Sequence, residues 1–250
     1  MILSTPAIVL KSIDFKESSK IVTLLTPDHG KFAVIVKGAR KPKSKYAGYF
    51  ETGNIVDVVV YLKSSRTVQN LNEVSYRFKN WSVRQDFEKL ALVMAILEMV
   101  DQLVHENEAA SDFFQLTEKM ICWLNDTTEN VVNVFPYIQL RFADLSGIAI
   151  RMDAKEPENN NQGLYLIVED GLISSEPGIG LSFKLSKMQQ NYVVQALQAK
   201  NSSVFRNEIS QKEIKLLIHH LDVYFKHHIE GMRDRKSDTV FEQILLKETP

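Results

Sequence analysis

Residues 31–50, KFAVIVKGARKPKSKYAGYF, hold Lys31, Lys37, Arg40, Lys41, Lys43 and Lys45 with no carboxylate among them, and close on Tyr46, Tyr49 and Phe50. Cations at this density can neutralise the phosphates of a nucleic-acid backbone, and exposed rings can stack on its bases. Gly38, Pro42 and Gly48 keep the stretch a loop, so its charges need not share one helical face. The competing reading is a solvated basic loop whose aromatics pack into the neighbouring core, because blocks of like charge are commonly just exposed.

Other reactive residues are less well placed. His219, His220, His227 and His228 include a pair seven apart, two helical turns, but a metal site wants closer spacing with a third and fourth ligand, and none is supplied nearby. They are expected to be surface and packing histidines. Cys122, the one cysteine, excludes an internal disulfide and a cysteine zinc site; within Met-Ile-Cys-Trp-Leu it reads as a small buried hydrophobe. Gly178-Ile-Gly180 lacks the third glycine of a dinucleotide fingerprint, no GxxxxGK occurs, and Glu169-Asp170 falls in a turn. No catalytic residue, metal or cofactor is expected, and the chain reads as a non-enzyme.

The 250 residues, 44% hydrophobic and 24% charged, are those of a soluble globular protein and exclude disordered or collagen-like classes. No apolar run approaches the ~18 to 20 residues that span a bilayer. The start, MILSTPAIVLK, has neither a basic region nor a small-residue cleavage site, so a cytoplasmic protein without membrane contact is expected. The formal charge of −1 hides an asymmetry: residues 1–82 carry 13 Lys+Arg against 6 Asp+Glu, the remainder 17 against 25. A basic segment within a neutral chain points to nucleic-acid or membrane contact by that segment.

The elements that must position these residues follow from hydrophobic period. Residues 7–13, 20–25, 31–37, 55–63 and 68–78 are short apolar runs separated by turn signals; Val56, Val58, Val60 and Leu62 alternate as one face of a half-buried strand. Five strands at this spacing predict an OB-type β-barrel, a fold that often binds single strands, with Gly38–Gly48 as its longest interruption. From Ser82 the period becomes helical. Capping boxes stand at Ser82–Gln85, Ser186–Gln189 and Ser210–Glu213, and helices are expected near 110–125, 130–146 and 237–247. Pro157–Gly163 reads as a polar loop, and residues 163–177 as a hairpin with Asp170-Gly171 in a type I′ turn. The fold class is α+β: a barrel domain over 1–81, then a mostly α-helical domain over 82–250 with a small β-hairpin insertion at about 151–183.

Ala7–Lys11, Glu17–Thr26, His29-Gly30-Lys31 and especially Lys37–Lys45 (KGARKPKSK) resemble, in order and spacing, the RecO family of bacterial recombination-mediator proteins. Looser correspondences are Leu145-Ser146-Gly147 and Arg235-Lys236-Ser237. The resemblance implies an N-terminal OB domain and a helical domain. It also implies binding to single- and double-stranded DNA, strand annealing, and loading of recombinase onto strands coated by single-strand-binding protein. The implied partners are RecR and the C-terminal tail of single-strand-binding protein, in the bacterial cytoplasm at the nucleoid. On matching positions the DNA contacts would be Lys37, Arg40, Lys41, Lys43 and Lys45, with Lys11, Lys16 and Lys20 secondary. Many members carry a four-cysteine zinc site; Arg151–Phe183 has no cysteine, so this chain is expected to be zinc-free there. The alternative function is a protein-interaction adaptor whose acidic helical domain docks partners, the basic loop not being a DNA site.

Overall fold

The computed structural model describes residues 1–129, 131–153, 163–199, 202–206, 209–238 and 240. The chain forms two compact units, Met1–Thr127 and Thr128–Pro250, so the switch of hydrophobic period near residue 82 lies inside the first.

Unit one begins with strands β1 (Ile2–Phe15), β2 (Ser19–Thr26), β3 (Gly30–Val36), β4 (Ile55–Tyr61) and β5 (Val68–Phe78). They close into a barrel in the order β1-β2-β3-β5-β4, the OB arrangement, with every pairing antiparallel except β3 with β5. Alternation dictates the interior: Val22 and Leu24, Phe32, Val34 and Val36, and Val56, Val58 and Val60 all point inward with Ala7 and Val9. A register shift between Val9 and Lys11 bends β1 so that its first half pairs with β4 and its second with β2.

Helices α1 (Trp81–Gln85), α2 (Phe87–Leu103) and α3 (Ser111–Asp126) complete this unit, α2 packing on β1 and α3 on β2. The capping box expected at Ser82 does not form. Ser82 lies inside α1, its N–H donating to Asn125 Oδ1, and the chain breaks at Asp86, whose extended backbone frees its carboxylate to accept from the Glu88 and Lys89 amides. An Asp serving two free N–H groups and the helix dipole is the better start. The β2–β3 turn docks on the α2–α3 connection. Ala110 N–H and Ser111 Oγ donate to Pro27 O, and Lys31 reaches the Asp101 carbonyl and carboxylate. Gly30 sits at φ +54°, where an added Cβ would lie 2.1 Å from Glu108 O.

Unit two contains α4 (Val134–Leu145), β6 (Arg151–Met152), β7 (Leu164–Ile167), β8 (Leu172–Ser174), β9 (Ser182–Leu185), α5 (Lys187–Gln198), a 3-10 turn (Ser202–Arg206) and α6 (Gln211–His228). The expected hairpin is β7–β8, but it is the middle of a four-stranded sheet ordered β6-β8-β7-β9. Its turn is not type I′: Ile167 pairs with Leu172, leaving four connecting residues, and only Gly171 among them has positive φ, whereas type I′ needs two such residues. The Ser186 capping box forms in full. At Ser210 the hydroxyl accepts from Glu213 N, while the Glu213 carboxylate accepts instead from Ser186 Oγ at 2.6 Å, tying the starts of α5 and α6 together. The Pro157–Gly163 loop, except Gly163, and most of the expected last helix lie outside the described residues.

Among the described residues of this core, two buried side chains are basic. Arg235, its side chain 3% exposed, forks onto both Asp222 oxygens (2.6 and 2.7 Å), bonds Asp238 (2.8 Å), and lies over the Phe135 ring. His220, 5% exposed, stacks on Phe183 of β9 with ring centroids 4.2 Å apart. Burial first, then neighbouring His219, lowers its pKa to about 4.

Two outcomes follow from this packing. Gly30→Ala should lower unit-one stability by about 2–4 kcal/mol in urea unfolding, from the backbone clash and the left-handed φ. For His220 the unfolded chain binds the extra proton between about pH 6.5 and 4, so stability falls as pH drops through that window, by of order 2–3 kcal/mol. His220→Phe, which keeps the stack, should flatten that dependence when unfolding is followed from pH 7 to 4.

Candidate nucleic-acid interface

β3 and β4 are not neighbours in the barrel, so residues 37–54 must cross from one to the other. They do so in successive tight turns: the amides of Lys41, Ser44, Ala47 and Tyr49 each donate to the carbonyl three residues earlier. Gly38 and Gly48 supply the positive φ this path requires, and Pro42 prevents a helix.

The crossing is held from below and from the side. Phe50, 4% exposed, belongs to the barrel core, with Ala39, Tyr46 and Tyr49 packed against it. Tyr49 stacks on Tyr76 at 4.2 Å, and burial followed by Tyr49 raises the Tyr76 phenol pKa. The buried Asn54 amide donates to the carbonyls of Gly48 (2.7 Å) and Tyr49 (3.1 Å). On the other flank Arg40 straps the segment to the β1–β2 turn: its amide donates to Ser18 O, its guanidinium to Lys16 O (2.7 Å), and its Nε pairs with Asp14 at 3.1 Å.

Charges and rings therefore part company. Lys37, Lys41, Lys43 and Lys45 are exposed, the last with Nζ 5.0 Å above the Tyr46 ring. Arg40 is exposed as well but committed to Asp14, which also takes Lys20 at 3.3 Å. Lys16, at φ +52° in the adjoining turn, and Lys11 on β1 are exposed too. The β1–β2 turn thus brings Lys16, Lys20 and Arg40 together, while Lys11 stands further along β1, opposite Thr23. Lys31 of the basic run turns away to Asp101. The aromatics follow the packing alternative: Phe50 is buried and Tyr49 has a face covered, so they do not form an open stacking platform. Sequence reading missed Asp14 and Asn54 as organisers of this loop, because their partners are distant in the chain or are carbonyls.

Elsewhere, the described residues contain no group of three or more His, Cys, Asp or Glu placed to hold a metal. His228 Nε2 bonds Val168 O at 2.7 Å, a packing role. Cys122 is half-buried, its thiol pKa raised by burial and then by Glu118 and Asp126, which disfavours a nucleophilic thiolate. No helix among the described residues is long and apolar enough to cross a membrane.

Comparison with known proteins agrees with this architecture. Residues 1–77 match the family model for the recombination protein O N terminal, and residues 84–238, more than half of the chain, match that for the recombination protein O C terminal. A protein of Salinibacter ruber, named DNA repair protein RecO, is 34% identical over 70% of this chain and 68% of its own length. Another of that name from Pelodictyon phaeoclathratiforme is 28% identical over 99% of this chain and 100% of its own. The chain, with its OB barrel and helical region, belongs to the RecO family.

Proposed function

We propose that this chain is a non-enzymatic DNA repair protein that binds single- and double-stranded DNA through the β3–β4 crossing. It anneals complementary strands and helps load recombinase onto strands coated by single-strand-binding protein, at the nucleoid in the bacterial cytoplasm. The observation that carries the reading is the set of exposed lysines 37, 41, 43 and 45, raised on a turn-built loop anchored to an OB barrel. Arg40 holds that loop in shape, and Lys11, Lys16 and Lys20 extend the positive surface.

The chemistry suits annealing. Lysine ammonium groups neutralise phosphates without reading base edges, and with Tyr49 and Phe50 packed inward the loop does not sequester the bases behind them. Two strands held this way have reduced mutual repulsion and Watson–Crick edges still free to pair. Each phosphate contact releases counterions, so affinity falls with salt.

A second activity, protein docking, is favoured by one feature. A cavity of about 440 Å3 runs along α6, with Leu216, Ile218 and Val223 as apolar lining and Lys212 and Lys215 among its polar residues; Asp222, Asp234 and Asp238 also line it, paired with Arg235 and Lys226. Such a groove suits a short peptide with apolar side chains and a terminal carboxylate for the lysines. We assign it to the C-terminal tail of single-strand-binding protein, with RecR as the second protein partner.

Replacing Lys37, Lys41, Lys43 and Lys45 together by Ala should weaken oligonucleotide binding and flatten the log–log salt slope by about 2.8 for single strands, at ~0.7 per phosphate contact. Unchanged affinity and slope would remove the loop from the site. For the groove, a fluorescent peptide copying the partner's tail should bind severalfold more weakly to Leu216→Glu or Lys212→Ala, and more weakly still once its terminal carboxyl is amidated. Equal binding by all these pairs would defeat that assignment.

A further inference from the structure

Among the described residues, the most exposed ring of a phenylalanine, tyrosine or tryptophan is that of Trp81, at 68%. It opens α1, three residues past the end of β5. A tryptophan displayed to water forgoes its own burial, and such rings are enriched where something binds. Its footing is firm. Asn80, 0% exposed, donates from Nδ2 to Thr52 O (3.4 Å) and accepts from Arg84 Nε (3.0 Å); Val83 is likewise buried, and the Trp81 amide donates to Lys79 O at 2.9 Å. The indole therefore stands on fixed backbone, so ordering it on binding costs little.

Topology sets Trp81 at the end of the barrel where the crossing lands. β4 begins at Ile55, directly after the crossing, and Ile55 pairs with Phe78, the last residue of β5. Arg84, three residues along α1 and so on the same side of the helix as Trp81, reaches the final residues of the crossing. Its guanidinium donates to Glu51 (3.3 Å), Thr52 O (3.4 Å) and Asn54 Oδ1 (3.5 Å).

Positive charge continues to the foot of the ring. Tyr49 of the crossing stacks on Tyr76 of β5 at 4.2 Å, and Lys79 places its Nζ 4.1 Å from the centre of the same Tyr76 ring. Two groups that close cannot share one face, so the order is Tyr49, Tyr76, Lys79, with the exposed lysine outermost. Trp81 follows it by two residues. Beyond the lysines of the crossing, this end of the barrel thus offers a further cation and then an open indole. That ring is the stacking surface which the inward-packed Tyr49 and Phe50 do not supply.

We propose that Trp81 is the base-stacking residue of the nucleic-acid site and sets its preference for single strands over duplex, with Lys79 contacting the adjoining phosphate. Duplex bases are already stacked on one another, whereas an unpaired base can lie on the indole. Stacking takes a base by its face and leaves its Watson–Crick edge free to pair. The contact lies outside the five barrel strands and their connecting loops, on the first helix after them. The inference rests on the reading of the β3–β4 crossing as a DNA site.

The test titrates the full chain with fluorescent oligodeoxythymidine of about 16 nucleotides, and with a duplex of the same length, at several salt concentrations. Trp81→Ala should weaken single-strand binding about tenfold and leave duplex affinity and the salt slope unchanged, because it removes a stacking contact and no charge. Trp81→Phe should recover most of that loss. Lys79→Ala should flatten the single-strand slope by about 0.7. The chain has two tryptophans, so unlabelled oligonucleotide should quench part of the wild-type indole emission and none of it in Trp81→Phe, where only Trp123 emits. If binding depends on the four crossing lysines while Trp81→Ala matches wild type, the inference falls and the crossing stands. The ring then serves a protein contact together with Phe87, 54% exposed across the break at Asp86. Equal loss on single strand and duplex would also overturn it, marking Trp81 as a structural residue. If the wild-type chain shows no salt-dependent binding at all, both this inference and the reading beneath it fall.

Discussion

Closure of the barrel through the parallel pairing of β3 with β5 is the constraint from which the candidate site descends. Once β5 occupies the edge of β3, β4 must pair elsewhere, and the chain between β3 and β4 cannot be a tight hairpin. It has to cross, and a crossing long enough to do so carries backbone that must be satisfied and side chains that must face either the core or water. The observed solution divides those tasks by residue. Phe50, Tyr49 and Tyr46 face the core, Asn54 and serial turns satisfy the backbone, and the lysines remain for solvent. The concentration of charge at this place is thus compatible with a well-packed barrel because the topology leaves an uncovered span there.

Much of this was legible in the residues. Five apolar runs with period two gave five strands at nearly the observed places, since alternation is a local consequence of the pleat. The first five residues of β1 were not included, because Ser4, Thr5 and Pro6 carry no apolar alternation and the register shift after Val9 reverses which face is inward. Ser82 lost its capping role to Asp86, four residues on, which has the stronger carboxylate acceptor. β6 and β9 escape for another reason: β7 and β8 are as short but flank the Asp170-Gly171 turn signal, whereas β6 and β9 have no such signal beside them and only their partners define them.

The site itself was legible in charge but not in orientation. A run of lysines announces its exposure, since burying an unpaired ammonium is costly. Nothing local announces that Arg40 is taken by Asp14, that Lys31 turns to Asp101, or that Phe50 is interior, as each depends on a partner brought close only by folding. The same holds in unit two, where Arg235 is an internal tie between Asp222 and Asp238. Net charge by segment therefore overstates what a partner would meet, because part of each sign is already consumed inside its own unit.

The docking of the β2–β3 turn against the α2–α3 connection has a consequence for how the chain can be divided. Leu25 and Thr26 are fully buried, and Gly30 meets Glu108 backbone at contact distance, so the barrel's second and third strands are finished by residues that follow it in the chain. A cut placed where the hydrophobic period changes, after residue 82, would strip that cover and expose an apolar strip beside unpaired carbonyls. The piece that can be excised with this cover intact is therefore the barrel together with its three following helices.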